Sequence, residues 1–561
     1  MNDLNRNARW CRCIAEELAR AGTALVVLCP GSRNSPLLFA LAEVFAPAPG
    51  ERDRRLSHID ERSAAFIALG AAKTSGRPSV VCVTSGSAVA NCAPALAEAK
   101  AAGVALIVLA ADRPWELHGC GAPQTMPQRG AFAAFVDHEL ALGEPGDDDL
   151  ALRALRARVS RMAQAGGPAL INVPLRDPLP PLPDAAWTPA RISPAALAGN
   201  APHPYTTVIG APAGQPPALP TWLRPGLRGL VVAGPGQVPW AGGLAEAAGF
   251  PLLADACSGA RRGGPAEVVA FDALLAGALA SEQPELIIVC GTLPLTRVAY
   301  EYVSRARCPL LMLEPHDDQD FLARADAVIA RPDAATVSAI TAACAPGDPA
   351  WRERWISAGQ RAAARLSAAM ADEPWSETLA AHLTLTHPLA RQGKVQVASS
   401  MAVRHANLHA PGPVACNRGL NGIDGTIGTF IGATLAGGGS DGLLLCGDLA
   451  FLHDLPALAA ARALNRSAVV ILNNDGGGIF DYLAVATVPD YRTWVRTPHG
   501  MDFAHAAAQF GLGYRRVAER GALVEALDSS REAERLQVIE CDLRGMDGVE
   551  RHRRLLRRLS E

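Results

Sequence analysis

Short uninterrupted aliphatic runs punctuate the chain. Each ends in a turn-forming residue and leads into a stretch rich in Ala, Leu and Glu with helical spacing. This alternation predicts parallel sheets covered by helices, an α/β fold built as three consecutive domains. In the first block the pattern predicts a helix over Asn7–Ala21, a strand over Ala24–Leu28 and a glycine turn at Pro30–Ser32. Strands over Ser79–Val83, Ala105–Ala110 and Ala169–Val173 follow, with an irregular segment from Asp112 to Gly130. A proline-rich stretch from 174 to about 225 suits an extended linker. The second block carries buried-strand runs at Leu230–Ala233, Leu286–Cys290 and Leu310–Leu313. A helical stretch from Trp351 to His387 then opens a third block, with strands over Gly442–Cys446, Ala468–Asn473 and Leu536–Glu540. The divisions predicted are 1–185, 186–350 and 351–561.

Composition narrows the class. At 561 residues, 49% hydrophobic and 19% charged, the chain is of globular type with more than one core. A net charge of −3 argues against nucleic acid as a partner, and the basic stretch Arg551–Arg558 reads as a solvated helix face. The thirteen cysteines form no CxxC pair, and several end apolar runs, as expected of reduced, buried thiols in a cytoplasmic protein. Met1–Cys13 has no apolar stretch of a secretory signal, and no run is long enough to span a bilayer.

The chemistry gathers in the third block. One strand ends in Cys446-Gly447-Asp448-Leu449; the next ends in Asn473-Asn474 followed by Asp475-Gly476-Gly477-Gly478. Asn474 follows Asp448 by 26 positions, a spacing that fits a strand end, a crossover and the end of a neighbouring parallel strand. Magnesium requires hard oxygen ligands, and Asp448, Asn474 and the backbone carbonyl of Gly476 supply three. One protein charge leaves the ion positive enough to hold a diphosphate, which the flexible glycines allow backbone N–H groups to approach. Either half alone is also an ordinary turn. Together they match the diphosphate motif of thiamine-diphosphate enzymes, with Leu449 in place of the motif's last glycine.

That cofactor needs a carboxyl group on its pyrimidine N1′ to help remove the thiazolium C2 proton. Glu61, in His58-Ile59-Asp60-Glu61-Arg62, is the candidate, although Asp60 and Glu61 also read as a helix cap and its first turn. No GxGxxG opens a helix after a strand with a later acidic partner, so a nicotinamide cofactor is not expected.

Taken in order, Pro30-Gly31-Ser32-Arg33, Asp60–Phe66, Thr84–Ala88, Ala111–Pro114, Asn417-Arg418-Gly419, Gly422–Gly425, Asn473–Phe480 and Thr497–Gly500 resemble one family. It is that of the 2-succinyl-5-enolpyruvyl-6-hydroxy-3-cyclohexene-1-carboxylate synthases (MenD) of menaquinone biosynthesis. The first and third blocks carry the likeness, the middle one only loosely. The resemblance implies pyrimidine-binding, central and diphosphate-binding domains, and active sites shared between the subunits of a homodimer or homotetramer. It implies thiamine diphosphate with Mg2+, or Mn2+ in its place. The implied reaction decarboxylates 2-oxoglutarate and adds the succinyl carbanion 1,4 to isochorismate.

By motif position, Gly422, Ile423, Gly447, Asp448, Leu449, Asn474, Gly476, Gly477 and Ile479 would hold the cofactor, with Ile423 propping its two rings. Ser400, Arg404 and Arg418 would take the chain derived from 2-oxoglutarate. Arg33, Gln124 and Arg297 would serve the isochorismate side, and Phe480 and Leu483, with Ile479, an apolar wall. Arg33 and Gln124 join Glu61 as catalytic candidates. The chain departs from the family pattern at Thr296, Pro123 and Asn34, all on the acceptor side. The alternative is a decarboxylase or carboligase acting on another 2-oxo acid, which needs fewer cations than this arginine set provides.

Overall fold

The structure, a computed structural model, describes residues 5–184, 186–188, 190, 192–209, 217–314 and 320–561. The expected division at 185 falls outside them. Three sheets follow one another along the chain, and every strand pairing within them is parallel.

The first contains β1 (Val26–Leu28), β2 (Arg55–Ser57), β3 (Ser79–Val83), β4 (Leu106–Asp112), β5 (His138–Ala141) and β6 (Ala169–Pro174), in the order β2-β1-β3-β4-β6-β5. The second contains β7 (Gly229–Ala233), β8 (Leu252–Ala254), β9 (Leu286–Cys290), β10 (Leu310–Glu314) and β11 (Ala327–Ala330), in the order β11-β10-β9-β7-β8. The third contains β12 (Lys394–Val397), β13 (Gly442–Gly447), β14 (Ala468–Asn473), β15 (Gly513–Val517) and β16 (Gln537–Asp542), in the order β12-β13-β14-β16-β15.

The first and third sheets share a core. Phe66, Ile67 and Leu69 on the Glu61–Ser75 helix join one apolar cluster with Ile427, Phe430 and Ile431 on the Thr426–Ala436 helix and with β13 and β14. The two helices touch backbone to backbone. A Cβ at Gly70 would overlap the Thr429 carbonyl oxygen, and one at Gly432 that of Ile67. The central sheet has clusters of its own.

The predicted helical stretch from Trp351 is two helices, Pro349–Asp372 and Glu377–Thr386. The first buries Trp351 and Trp355 against the central sheet, with the Trp351 indole N–H donating to the Gly229 carbonyl at 2.9 Å. The basic stretch lies on the Gly548–Ser560 helix, whose arginines at 553, 554, 557 and 558 are exposed while Leu555 and Leu559 enter the same central core. In the linker, the side chains of Asn5 and Asn7 donate to carbonyls at 176, 178, 180 and 182, so this part is strapped to the first domain. Among the described residues no helix is long and apolar enough to cross a membrane.

Candidate active site

β13 and β14 run side by side with Gly447 opposite Leu472, so Asp448 and Asn474 leave the same edge of the third sheet. Ligands of open parallel sheets gather at such carboxyl ends. The Asp448 carboxylate is buried and accepts from Gly476 N at 2.8 Å, Leu449 N at 2.7 Å and the His499 ring at 3.2 Å. Burial pushes its pKa up against the pull of those bonds, a cost that a bound cation would offset.

Residues 474–478 form a tight loop. Gly476 has φ +117°, and a Cβ there would overlap the Arg496 carbonyl oxygen, so the position requires glycine. Arg496, itself buried, donates to the Asn474 carbonyl at 2.7 Å and the Asp475 carbonyl at 2.9 Å, and pairs with Asp481 at 3.0 Å. Asp475 accepts from His499 N at 2.9 Å and Gly500 N at 2.7 Å, bonds that hold its pKa below the usual carboxylate range. The segment 496–500 thus braces both the loop and Asp448. Among the described residues no group of three or more His, Cys, Asp or Glu side chains could hold a metal ion. The Asp448–Asn474 arrangement instead suits an ion completed by phosphate oxygens and water.

A cavity of about 390 Å³ opens over this loop. Gly447, Asp448, Leu449, Asn474, Gly476, Gly477 and Ile479 line it, with Ile423, Phe480, Ser400, Arg404 and Arg418 around them. Gly422 is not in its wall, although its neighbours Asn421 and Ile423 are. Ser400 sits in the left-handed region at φ +72°, and its carbonyl accepts from Arg404 Nη1 at 2.7 Å. Backbone strain of this kind at a non-glycine residue is characteristic of functional sites. Burial, and then the charge of Arg418, lower the Arg404 pKa. Arg418 Nε is buried and without a partner, and among the described residues neither guanidinium forms an ion pair. Asp272, half-buried, is pushed up to about 6 by desolvation; it accepts from Asn407 and from Thr296, the residue that departs from the family's pattern.

The first-domain candidates form a separate group. Asp60 caps the Glu61–Ser75 helix by accepting from Ser63 N at 2.9 Å, and Glu61, half-buried at its first position, accepts from Asn91 at 3.2 Å. Arg33 donates to the Leu175 carbonyl at 2.8 Å and pairs with Asp177 at 3.3 Å, leaving Nε buried and unpartnered. Gln124, at φ +56°, donates to the Ser85 carbonyl at 3.1 Å. Arg113 donates to Ser85 Oγ at 3.0 Å and to the Pro123 carbonyl at 3.3 Å, which places a second cation beside Gln124. Asn34 is buried and donates to the Cys29 carbonyl at 2.9 Å, bracing the turn that carries Arg33.

None of Arg33, Glu61, Gln124 and Arg297 lines the cavity of its own chain. Arg297 is 80% exposed and pairs with Glu301 at 2.6 Å one turn along its helix, and Leu483 is also exposed. Within one chain the third-domain candidates therefore gather round one cavity, and Arg33, Glu61, Gln124 and Arg297 lie outside its wall. The sequence reading passed over Arg113, Glu377, Arg496 and His499. Arg113 and His499 stood inside segments already noted for their resemblance, and that was the signal available.

Residues 10–134 match the thiamine pyrophosphate enzyme, N-terminal TPP binding domain, and residues 397–541 the thiamine pyrophosphate enzyme, C-terminal TPP binding domain. A 2-succinyl-5-enolpyruvyl-6-hydroxy-3-cyclohexene-1-carboxylate synthase of Myxococcus xanthus is 37% identical, over 100% of this chain and 98% of that one. The synthases of that name from Roseiflexus castenholzii and Rubrobacter xylanophilus are 36% and 37% identical, covering 96% and 98% of this chain and the same shares of their own. With two thiamine-diphosphate domains in place and full-length likeness of this degree, the chain belongs to the 2-succinyl-5-enolpyruvyl-6-hydroxy-3-cyclohexene-1-carboxylate synthase family of thiamine-diphosphate enzymes.

Proposed function

We propose that this enzyme joins a succinyl unit from 2-oxoglutarate, with loss of CO2, to isochorismate, giving the product for which its relatives are named, in menaquinone biosynthesis. The observation that carries the substrate class is the pair Arg404 and Arg418. Two half-buried guanidiniums side by side, neither in an ion pair among the described residues and with only the field of Asp272 acting on Arg404, are costly unless a further carboxylate completes them. A substrate with a distal carboxylate meets that need; a pyruvate-like one does not.

In this reading Asp448, Asn474 and the Gly476 carbonyl hold Mg2+ (Mn2+ offers the same hard-cation chemistry), and the 476–478 loop approaches the diphosphate. Thiamine diphosphate supplies the carbanion chemistry when bound, and the protein orients it and handles protons. Ile423 supports the cofactor, while Ile479 and Phe480 keep water from the reacting face. Glu61 exchanges a proton with the pyrimidine N1′. Arg33, Gln124 and Arg297 serve the acceptor, and Arg113 joins them on the strength of its bond to Ser85. Glu61 lies outside the wall of its own chain's cavity, which supports a site completed by a second copy in a homodimer or homotetramer. We place the domain divisions near 185 and 350 and the enzyme in the cytoplasm.

The test is to supply thiamine diphosphate, Mg2+ and 2-oxoglutarate with and without isochorismate, and to identify the products by mass. The ring adduct is expected. Release of CO2 without adduct would assign a decarboxylase of 2-oxoglutarate, and no turnover of 2-oxoglutarate would assign a decarboxylase or carboligase of another 2-oxo acid instead.

A further inference from the structure

A carboxylate not used so far, Glu377, lines the same cavity as Asp448 and Asn474. It opens the Glu377–Thr386 helix, behind the N-cap Ser376, whose hydroxyl accepts from Leu379 N at 3.2 Å. Its two oxygens have different partners. Oε1 takes a hydrogen bond from His405 Nε2 at 3.2 Å; Oε2 takes one from Asn474 Nδ2 at 2.9 Å. His405 is buried, so the carboxylate has a partner at each oxygen while Glu377 itself still faces the cavity.

An asparagine amide fits its density of neighbours in two ways, and only one presents oxygen to a cation. An ionised carboxylate accepts and cannot donate. Glu377 therefore draws the NH2 end of Asn474 to itself and turns Oδ1 away. On the opposite side the Arg496 guanidinium approaches Oδ1 at 3.4 Å, a donor facing the oxygen end. An acceptor on one side and a donor on the other select the same orientation.

We infer that Glu377, held by His405, is the positioning residue that fixes the Asn474 amide with its oxygen toward the metal. This rests on the reading of Asn474 as a metal ligand. Partners behind a metal ligand typically contribute 10- to 100-fold in affinity.

Isothermal titration of thiamine diphosphate into apoprotein at graded Mg2+ gives the half-saturating metal concentration without turnover. E377L removes the acceptor at similar bulk and is expected to raise that concentration by about 10-fold or more. E377Q still offers a carbonyl oxygen to the Asn474 amide and should recover most of the affinity. Should E377L not fold, E377D, which keeps the charge but withdraws the acceptor by about 1.5 Å, is read in its place. Wild-type metal affinity in E377L, or an E377Q as weak as E377L, would overturn the orienting role. N474A separates the two readings: a loss there without a loss in E377L sinks only the inference, whereas no loss in N474A removes the ligand on which it depends.

Discussion

Replacing Arg404 with alanine tests the substrate reading most directly. A charge-assisted bond between guanidinium and carboxylate contributes about 1.5–3 kcal/mol, which at 1.36 kcal/mol per decade is roughly 10- to 150-fold in kcat/KM. The structure sets where in that range the loss falls. Arg418 repels Arg404 and helps lower its pKa, so removing one guanidinium relieves the other. The remaining arginine then binds better, and a loss nearer the lower end, about 10- to 30-fold, is expected. The double variant R404A/R418A loses that compensation and should fall by more than the product of the single effects. The assay is kcat/KM for 2-oxoglutarate at saturating thiamine diphosphate, Mg2+ and isochorismate, set beside 2-oxobutyrate, which lacks the distal carboxylate. R404A should narrow the preference between the two substrates while cofactor affinity stays within about 3-fold, since the Arg404 guanidinium bonds to the Ser400 carbonyl and not to the diphosphate loop. An unchanged preference, or a cofactor affinity that falls in step with kcat/KM, would refute the reasoning.

E61Q should bind thiamine diphosphate with near-normal affinity yet lose turnover, because the amide cannot exchange the proton; full activity in that variant would remove Glu61 from the mechanism. Asp454, between the Glu61–Ser75 and Thr426–Ala436 helices, accepts from Gly428 N at 2.8 Å, and burial pushes its pKa up to about 7. A carboxyl raised in the folded state stabilises fully below its unfolded pKa of about 3.9 and loses that contribution as pH rises through 7, a change on the order of 4 kcal/mol. D454N should therefore gain in Tm relative to the wild type between pH 5 and 8, and a difference constant across that range would count against it. Of the thirteen cysteines only Cys120 is exposed, so a native thiol titration should give one rapid equivalent per chain and thirteen after unfolding; several rapid equivalents would contradict the burial.

The parts of the fold legible in the sequence follow a physical line. Every strand predicted from an apolar run lies inside a sheet. The six that escaped, β2, β5, β8, β11, β12 and β15, are the two edges of each sheet. An interior strand is buried on both faces and reads as continuous Val, Ile and Leu; an edge strand such as Ala327–Ala330, which alternates in exposure, or Lys394–Val397, which is buried only in its second half, resembles ordinary loop sequence. The site divides in a similar way. Asp448 and the 474–478 loop are legible because strand end, turn and chemistry coincide within a few residues. Glu377 reads as a routine first-turn acid and Arg496 as one arginine among many. Their roles arise only from contacts across about a hundred residues and about twenty residues of chain respectively. Arg297 stood at its expected motif position, yet within one chain its partner is Glu301.

The glycine contacts at 70 and 432 bear on how the molecule comes apart. Two segments separated by more than three hundred residues close a single interior, while the sheet between them keeps an interior of its own. In cooperative terms the chain behaves as a host with a guest inserted in it. Neither terminal third should survive alone as an excised fragment, because each would expose the face the other covers. Heating should accordingly melt the two outer thirds as one transition, to which the middle third is tied by Leu555 and Leu559 of the C-terminal helix.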